Sequence, residues 1–565
     1  MTFHRILLAC ACLLSIFFLP IHPVSGSTQV NDPVQLALMD VMENKPAPGS
    51  EPSLARPVGL TIEQHIIELY AQREMRPLWV DLEGPGQNAL TIANALIASF
   101  DEGLNPDDYS VPAISGLWSS RNPSELAWLD ILLTQGMSAY LTDMAYGRAE
   151  PCLLDPLLFA TARENVRNDP GHLIRQASQA PDLEHFLQDQ APAHDAYRLL
   201  RTALAKYRSL ADRGGWPFIP PGPSIRPDME DLRVPAIRSL LTINGDYNGT
   251  EYSSPLFDPE LADAVRRFQS RHNLNSDGII GNNTLAAMNV PVTERIDQIL
   301  INMELWRWLP HKLEGKQIYV NIAGFFLQAR RDEQVEFATP VIVGKVYHKT
   351  PVFSDQVRYV EFNPFWNIPA SIARNEIVPA MLKDPAYLRK NNIRMFDGWG
   401  DNSREVDPAS LNWRQLGGKI SRYRLRQDPG PDNSLGRVKF VFPNRHDVYL
   451  HDTPAHDLFR RDDRAFSHGC IRVSRPIELA HYLLSGDDMS WTMERIQKIL
   501  GEGKRTVIVL KKPVPIHILY RTAEVDADSG AVFFFKDVYG RDALLQQALF
   551  PKGSARLCKY PPFSP

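Results

Sequence analysis

Apolar positions recur at helical spacing through the first third of the chain. In the stretch TIEQHIIELYAQREM, the side chains of Ile62, Ile66, Leu69 and Tyr70 fall on one face of a helix. The stretch SELAWLDILLTQGMSAYLTDMAYG is a longer amphipathic run of the same kind. This region holds no cluster of residue types used in catalysis. The pattern therefore predicts an all-helical scaffold domain over residues 58–225.

A proline-rich break, GGWPFIPPGPSIRP, separates this region from a second helical segment. Asp258 is a good N-cap residue with Pro259 at the first helical position, and the following apolar residues line one helical face. We predict a small three-helix domain over residues 226–293 and an amphipathic connecting helix over residues 294–315.

The small domain resembles the three-helix peptidoglycan-binding module. The hallmark residues of that module appear here as Ala264-Val265, Phe268-Gln269, Leu274, Asp277-Gly278, Ile280-Gly281 and Thr284. The resemblance implies binding to the cell wall. A domain of this kind can also be purely structural, having lost its ligand.

Alternating and β-branched runs begin near Lys316. The stretches KQIYVNIAGFFLQAR, VEFATPVIVGK, RYVEFNPFWNIP, GRVKFVFPN and RTVIVLKK are typical of strands separated by Gly, Pro and Asn. They predict a mostly β, sandwich-like domain over residues 316–512, with a less regular, partly helical capping insertion over about residues 371–427. Further strand-like runs predict an extension over residues 513–565 that packs on the same domain. The predicted fold class is multidomain α+β.

Length and charge narrow the possible functions. A chain of 565 residues is too long for one core, which agrees with several domains. The 61 Lys and Arg residues against 66 Asp and Glu residues give a net charge of −5. The chain therefore lacks the overall excess of positive charge that is typical of nucleic-acid-binding proteins, and no nucleic-acid partner is predicted.

The N-terminus has the pattern of a secretory signal. His4 and Arg5 precede the apolar run Ile6–Phe18, and the small residues of VSGS come after it. The run is short for a membrane span, so we predict a cleaved signal peptide over residues 1–26, a linker over residues 27–57, no stable membrane span and an exported protein. An uncleaved anchor and a lipoprotein box at Cys10 are the alternatives.

Export would leave Cys152, Cys470 and Cys558 in the mature chain. Three is an odd number of thiols for an oxidising compartment. Cys152 and Cys558 could pair, although their separation along the chain does not establish this. Such a pair would leave Cys470 as a lone thiol.

Cys470 lies in a context that suits a nucleophile. In the strand-like stretch DVYLHDTP, alternation places Tyr449 and His451 on one face, and Cys470 comes 19 positions after His451 in FSHGCIRV. A histidine beside a thiol raises the thiolate fraction and can later protonate a leaving amine. Gly469 removes bulk beside the sulfur, so the amides of His468, Gly469 and Cys470 could point at a developing oxyanion.

Two residues close to Cys470 in the sequence could assist a reaction at the thiol. On spacing alone, two other interpretations of Cys470 also remain open. Arg472 shares the side of Cys470 if the chain is extended, and Ser467 is a candidate hydrogen-bond partner for the site. A lone cysteine can instead be a small buried apolar residue. A zinc site built from His451, His456, His468 and Cys470 is also conceivable, although no Cys-x-x-Cys pattern is present.

The motif resembles the signature of L,D-transpeptidases with a YkuD-type catalytic domain. A histidine followed by Ser/Thr-His-Gly-Cys-x-Arg/Asn appears here as His451 and then residues 467–472. The likeness extends over VIVGK, TPVFS and RYVEFNPFWNIP, and, with the two helical regions, covers nearly the whole mature chain. The architecture is similar to that of the large periplasmic members of the family.

The resemblance implies a concrete reaction. Cys470 would attack the amide carbonyl of the third residue, diaminopimelate, in a tetrapeptide stem and expel the terminal D-Ala. A diaminopimelate amine of a second stem would then resolve the thioacyl enzyme, cross-linking two third residues. His451 matches the general base and acid. The residues implied in substrate positioning or the oxyanion site are Tyr449, Ser467, His468, Gly469 and Arg472.

The same resemblance implies the setting of the reaction. Peptidoglycan stems would be donor and acceptor, other cell-wall synthases are candidate partners, no metal or organic cofactor is needed, and carbapenems would acylate the cysteine. A basic stretch between Arg414 and Arg426 in the insertion could face stem carboxylates or be an ordinary solvated surface. The alternatives are an L,D-carboxypeptidase, a D-amino-acid exchanger or a lipoprotein-to-wall ligase with the same intermediate, and a non-catalytic wall-binding scaffold.

Overall fold

The computed structural model describes residues 32–44, 63–158, 169, 171–250, 252–400, 402–486, 488–551 and 559–564. The predicted signal peptide and Cys558 lie outside these residues. Within them, no helix combines the length and the apolar character that crossing a membrane requires.

The linker predicted over residues 27–57 contains a helix, Pro33–Asn44. Its residues Val34, Leu38 and Val41 are buried, and the helix packs against the long helix Pro123–Tyr146. These three positions have i, i+4 and i+7 spacing, which is the spacing of an amphipathic helix. The linker prediction was therefore wrong for this part of the chain, where the apolar positions have helical spacing.

The scaffold domain is helical, as predicted. Its longest helix, Pro123–Tyr146, buries Asp130 in its middle. The Asp130 carboxylate accepts hydrogen bonds from the Tyr70 hydroxyl at 2.5 Å and from the Trp79 amide at 2.7 Å, which ties the preceding segment to the helix. A short hairpin joins β1 (Val80–Asp81) and β2 (Gly84–Pro85). The remaining described α-helices of this domain are Gln64–Gln72, Gln87–Ala98, Val111–Leu117, Pro151–Leu154, His172–Gln179, Leu183–Gln188 and Asp195–Asp212, and Pro106–Tyr109 is a short 3-10 helix.

The small domain has the three helices Val234–Asn244, Pro259–Arg271 and Asn282–Met288. Asp258 caps the second helix by accepting a hydrogen bond from the Leu261 amide at 2.8 Å, which confirms the predicted N-cap. The apolar face of this helix is buried in a core of its own. This core is separate from those of the neighbouring domains, so the segment folds around its own apolar contacts.

The connecting helix spans Val292–Arg307, shorter than the predicted 294–315 at its C-terminal end. Pro310 cannot continue a helix, and the chain turns toward the first strand of the next domain. Glu304 on this helix accepts hydrogen bonds from the backbone of Arg148 and Ala149 at 2.5 and 2.8 Å. Buried polar contacts therefore anchor the connecting helix to the end of the scaffold.

The β domain is a mixed sheet that closes on itself. Its strands are β3 (Lys316–Asn321), β4 (Phe326–Arg331), β5 (Gln334–Gly344), β6 (Phe353–Phe362), β11 (Val438–Val441), β12 (Leu450–His451), β13 (Ala465–Ser467), β14 (Ile471–Val473) and β15 (Thr506–Leu519). The order is β13-β5-β14-β12-β11-β6-β15-β3-β4, and β4 also pairs with β5. Eight strands thus form a ring around an apolar core, with β13 added at its edge. The helices Pro476–Ser485 and Met493–Gly501 belong to the same domain.

The insertion is a small domain with its own sheet and core. Its strands are β7 (Trp366–Asn367), β8 (Ile393–Asp397), β9 (Arg404–Glu405) and β10 (Tyr423–Gln427). Its α-helices are Ala370–Ile372, Val378–Lys383, Tyr387–Lys390 and Trp413–Leu416, with a π-helical turn Ala373–Ile377 and the 3-10 helices Pro408–Ser410 and Gly417–Arg422. Trp366 and Asn367 pair with β10, so the insertion begins before the predicted residue 371. A two-residue strand is too short to show alternation, which is why its start was missed.

The C-terminal extension does not begin at the predicted residue 513. Strand β15 runs continuously from Thr506 to Leu519, with an irregularity between Val509 and Val514 where it pairs with β6. Pro513, the first residue of the predicted extension, lies at this irregularity, where prolines are tolerated within a strand. A hairpin of β16 (Ala523–Val525) and β17 (Val532–Phe534) comes next, and then the helix Arg541–Leu549.

Candidate active site

Cys470 and His451 belong to two adjacent parallel strands. In β12 and β14, Leu450 lies opposite Ile471 and His451 lies opposite Arg472. Leu450 and Ile471 are fully buried in the core of the ring. Side chains alternate along a strand, so His451, Arg472 and the flanking Cys470 share the other face of the sheet. The thiol and the imidazole are thus diagonal neighbours on strands about 4.8 Å apart.

Cys470 is half-buried immediately before β14. Its Sγ is 3.8 Å from the carbonyl oxygen of Asp447. Burial raises the pKa of the Cys470 thiol, whereas hydrogen bonds from the amide and side chain of Tyr449, and the charges of Lys439 and Arg472, lower it. The resting group is therefore a thiol that needs a base, set among groups that favour its anion.

His451 is suited to be that base. Its side chain is buried, and Nδ1 lies 2.5 Å from the carbonyl oxygen of Asp452. A carbonyl can only accept, so Nδ1 carries the proton and Nε2 is the free acceptor. Burial, with the positive charges of Arg472 and Lys439, lowers the pKa of His451 to about 3. The ring is therefore neutral at physiological pH, which leaves Nε2 unprotonated.

Tyr449 lies between these groups. Its ring is 5.6 Å from the His451 ring, measured between centroids, and it is half-buried. Burial raises the pKa of the Tyr449 hydroxyl well above its ordinary value, and the Cys470 charge adds to this. The hydroxyl thus keeps its proton and remains a donor toward the sulfur.

Ser467 and Gly469 hold the loop that presents the cysteine. The Ser467 hydroxyl is buried, donates to the Cys470 carbonyl at 2.5 Å and accepts from the Gly469 amide at 3.1 Å. Gly469 has a φ of +115°, which side chains other than glycine's rarely permit. Its carbonyl accepts from the Thr350 hydroxyl at 2.9 Å. The Gly469 amide therefore donates within the turn, and a role for the amides of this loop in an oxyanion site stays a prediction.

His468 is directed toward the insertion. Its Nε2 is 2.7 Å from Oε1 of Glu376, which lies in the π-helical turn, and its ring is 5.1 Å from the ring of His348. Burial lowers the pKa of His468, and the charge of Glu376 opposes this. His468 therefore connects the cysteine loop to the insertion.

Two charged residues near the sulfur have environments that the sequence did not reveal. Lys439 on β11 lies opposite His451, and its Nζ is 4.0 Å from the centre of the Tyr449 ring. Arg472 has a partner strand on each side, and its Nε has no hydrogen-bond partner among the described residues. Lys439 was missed altogether, although a signal was present in GRVKFVFPN, where a lysine stands between the buried residues Val438 and Phe440.

The residues of the zinc alternative do not form a ligand set. Among the described residues, no group of three or more His, Cys, Asp and Glu side chains could hold a metal ion. His456 lies on the short 3-10 helix His456–Arg460 with its ring beside Phe459. The other two histidines are directed elsewhere, His451 to the Asp452 carbonyl and His468 to Glu376.

The basic stretch of the insertion is partly compensated. Arg426 pairs with Asp428 at 2.9 Å and lies over the Phe365 ring at 4.1 Å. Arg424 lies over the Phe396 ring at 4.7 Å. Arg414, Lys419 and Arg422 are exposed. The role of this stretch in binding stem carboxylates stays a prediction.

Three family models match the chain. Residues 315–509 match YkuD, described as "L,D-transpeptidase catalytic domain", residues 231–288 match "Putative peptidoglycan binding domain", and residues 64–204 match "Scaffold domain". The resemblances stated from the sequence motifs are thereby confirmed. All residues of the candidate site lie within the first of these matches.

Several known proteins are similar to this chain. A Haemophilus influenzae protein named "Putative L,D-transpeptidase" is 28% identical over 486 residues, which are 86% of this chain and 79% of that protein. Two crystal structures are similar at lower identity. The L,D-transpeptidase of Xylanimonas cellulosilytica (residues 123–326) is 15% identical with a TM-score of 0.18, over 53% of this chain and 99% of that one. The L,D-transpeptidase of Stackebrandtia nassauensis is 14% identical with a TM-score of 0.21, over 52% and 97%.

Proposed function

We propose that this chain, which carries a YkuD-type L,D-transpeptidase catalytic domain and a peptidoglycan-binding domain, cross-links peptidoglycan stems through a thioacyl enzyme at Cys470. One observation carries the proposal. The half-buried thiol of Cys470 shares a sheet face with a neutral imidazole, His451, on the adjacent strand. This is the pair that acyl transfer by a cysteine requires.

In the first half-reaction, His451 Nε2 takes the proton of the Cys470 thiol, and Sγ then attacks the carbonyl carbon of the third stem residue. The C–S bond forms, and the tetrahedral intermediate collapses with cleavage of the C–N bond to D-Ala. The proton held on Nε2 passes to the departing nitrogen, so D-Ala leaves as a neutral amine. The imidazole is neutral again at the end of this step.

In the second half-reaction, the side-chain amine of diaminopimelate in another stem attacks the thioester. His451 removes a proton from that nitrogen and returns it to the sulfur as the C–S bond breaks. The product is an amide between two third residues, and the thiol is restored. Water in place of the amine would give a tripeptide, which is the carboxypeptidase alternative.

The other residues of the motif are proposed to support these steps. The Tyr449 hydroxyl donates toward the sulfur, and Arg472 supplies positive charge on the same face for developing negative charge or a stem carboxylate. Ser467 and Gly469 set the direction of the cysteine, and His468 contacts the insertion over the site. The two half-reactions are complete with these side chains and need no metal or organic cofactor.

The family assignment implies action outside the cytoplasm, where peptidoglycan lies. We place the mature protein in the periplasm, after removal of residues 1–26, with peptidoglycan stems as both substrates. The peptidoglycan-binding domain would hold the enzyme on the wall, and other cell-wall synthases are candidate partners. Carbapenems would acylate Cys470 as stem analogues.

The test is incubation of the purified protein with purified disaccharide-tetrapeptide muropeptides, followed by separation and mass analysis. We expect D-Ala and dimers linked between third residues, absent with Cys470→Ala and retained with Cys152→Ala, which removes an exposed cysteine elsewhere. Tripeptides without dimers would assign the carboxypeptidase reaction instead. No change in the muropeptides and no mass shift with a carbapenem would leave a non-catalytic scaffold.

A further inference from the structure

A row of side chains crosses four strands of the ring on the active-site face. Strand register places Glu361 of β6 opposite Lys439 of β11, Lys439 opposite His451 of β12, and His451 opposite Arg472 of β14. Residues in register share a face, so two cations flank the imidazole, one on either side. Cys470 is two residues before Arg472 and lies on the same face.

Lys439 is held toward the sulfur by its surroundings. Its neighbours Val438 and Phe440 are fully buried on the opposite face. Its Nζ lies 4.0 Å from the centre of the Tyr449 ring, the residue whose amide and side chain hydrogen-bond Cys470. A cation over an aromatic face is attracted to it, so the Tyr449 ring holds the ammonium on the face of the sheet that carries Cys470.

Glu361, which lies opposite Lys439 on β6, does not neutralise the charge of Lys439. Glu361 is buried and forms an ion pair with Arg505 of the segment before β15. One carboxylate therefore stands between two cations. Burial lowers the pKa of the Lys439 ammonium, and the negative charges of Glu361 and Cys470 oppose that change. The local excess of positive charge is available to an anion on Sγ.

His451 does not supply this charge in the resting enzyme. Its ring is neutral, since its pKa is lowered to about 3 by burial and by Arg472 and Lys439. The charged groups that face the sulfur are then Lys439 and Arg472, with Glu361 and Arg505 behind Lys439. Tyr449 keeps its proton because burial raises the pKa of its hydroxyl.

We infer that Lys439 is an electrostatic positioning residue for the proposed reaction: its ammonium, held over the Tyr449 ring, stabilises the Cys470 thiolate while the thiol proton resides on His451. The inference rests on the proposed function for the use of the thiolate in catalysis. The property that it assigns, a stabilised thiolate, concerns Cys470 alone. Lys439 keeps its proton throughout, and Sγ loses its proton to Nε2 before it forms the C–S bond. The lysine acts through Cys470 and need not touch the stem.

The test measures the reactivity of Cys470 without any cell-wall substrate. The purified protein is alkylated with iodoacetamide, a small neutral reagent, from pH 6 to pH 10, and the modification of Cys470 is followed by peptide mass mapping. Lys439→Met should raise the pH midpoint of alkylation by about one unit, a roughly tenfold loss of rate at pH 7, because a unit charge near the sulfur is removed. Lys439→Arg should restore the profile.

Two further variants keep the test decisive. Lys511→Met removes a charge from an exposed lysine on β15 that pairs with Asp488 at 3.2 Å, and its profile should match the unmodified protein. Glu361→Gln removes the carboxylate beside Lys439 and should move the midpoint the opposite way, to lower pH. This opposite shift remains measurable even if Lys439→Met fails to fold.

The outcomes separate this inference from the proposed function. A Lys439→Met profile that superimposes on that of the unmodified protein overturns the inference, as does a Lys439→Arg profile that matches Lys439→Met. A change confined to the KM for muropeptide would also overturn it and make Lys439 a substrate-binding residue. If the profiles shift as expected but no muropeptide is converted, the proposed function fails and the electrostatic role stands.

Discussion

Two turns of this molecule share one hydrogen-bond pattern, in which a buried side chain binds a glycine amide and a nearby carbonyl, but only one of them lies in the candidate active site. In the small domain, the buried side chain of Gln269 accepts from the Gly278 amide at 2.9 Å and donates to the Ile279 carbonyl at 2.9 Å. In the catalytic domain, the buried Ser467 hydroxyl binds the Gly469 amide and the Cys470 carbonyl. Both glycines have positive φ, +75° and +115°.

The two turns differ in the side chain that the glycine introduces. After Gly278 the chain continues to the buried Ile280, which fills the core of the small domain. After Gly469 it presents a half-buried thiol to a face with His451, Tyr449 and Arg472. Most residues of a motif can therefore be required by the backbone geometry of its turn. The proposed chemistry depends on the one side chain that the turn presents and on the strands beside it.

The largest expected effect comes from substituting Cys470, the side chain that the second turn presents, or His451, its proposed base. Cys470→Ala should abolish carbapenem acylation and D-Ala release. His451→Gln should lower the acylation rate by about 10²- to 10⁴-fold, since general base catalysis is lost. Intact-mass kinetics with a carbapenem measure both, and Cys152→Ala is the matched control. Unchanged acylation in His451→Gln would contradict the assignment of the base.

The two glycines give the next comparison. Gly469→Ala and Gly278→Ala both force a side chain into positive φ, so each should lower the free energy of unfolding by about 1 kcal/mol or more. Only Gly469→Ala should also slow acylation, by about 10²-fold, because it redirects the thiol. Thermal unfolding and acylation kinetics on both variants test this. Equal acylation losses in the two would show that the turns are not functionally distinct.

A smaller effect is expected from the side chains that lock the turns. Gln269→Ala and Ser467→Ala each leave a buried amide without its partner, at a cost of about 1–3 kcal/mol in the free energy of unfolding. Denaturant unfolding measures this cost. Acylation should fall about tenfold in Ser467→Ala and change less than about twofold in Gln269→Ala, which lies in another domain. A reversed order of the acylation effects would break the comparison.

The smallest effect concerns His468, the residue between Ser467 and Gly469. Because Glu376 is among the groups that raise the pKa of His468, Glu376→Gln should lower that pKa further, as measured by NMR titration of the ring. A histidine with a folded-state pKa below its ordinary value near 6.5 destabilises the fold as the pH falls below that value. The variant should thus lose slightly more stability below pH 6 than the unmodified protein, and none above pH 7. An upward shift of the titration would contradict the assigned ion pair.

Local sequence patterns were sufficient to predict much of the fold and the central residues of the candidate active site. Alternation in DVYLHDTP correctly placed Val448 and Leu450 in the core and Tyr449 and His451 on the other face. The N-cap Asp258 was confirmed in the same way. These features depend on residues close together in the sequence, where spacing alone determines which side chains share a face.

Features that depend on distant segments could not be predicted. Lys439 and Glu376 approach the Cys470 loop from β11 and from the insertion, and strand register and domain packing decide those contacts. The closure of the ring through β4 and β5 also depends on register. The use of the Gly469 amide within its own turn could not be seen either, because nothing in Ser-His-Gly-Cys indicates which oxygen that amide meets.

The most direct test of the central claim is capture of the acyl enzyme. The purified protein is mixed with a muropeptide tetrapeptide, quenched in acid after short times, and mapped by peptide mass analysis. A thioacyl enzyme at Cys470 predicts a mass increase equal to the disaccharide-tripeptide acyl group on the peptide that contains Cys470, together with one released D-Ala, and a much smaller amount in His451→Gln. An adduct on any other residue, or D-Ala release with Cys470 unmodified at every time, would contradict it.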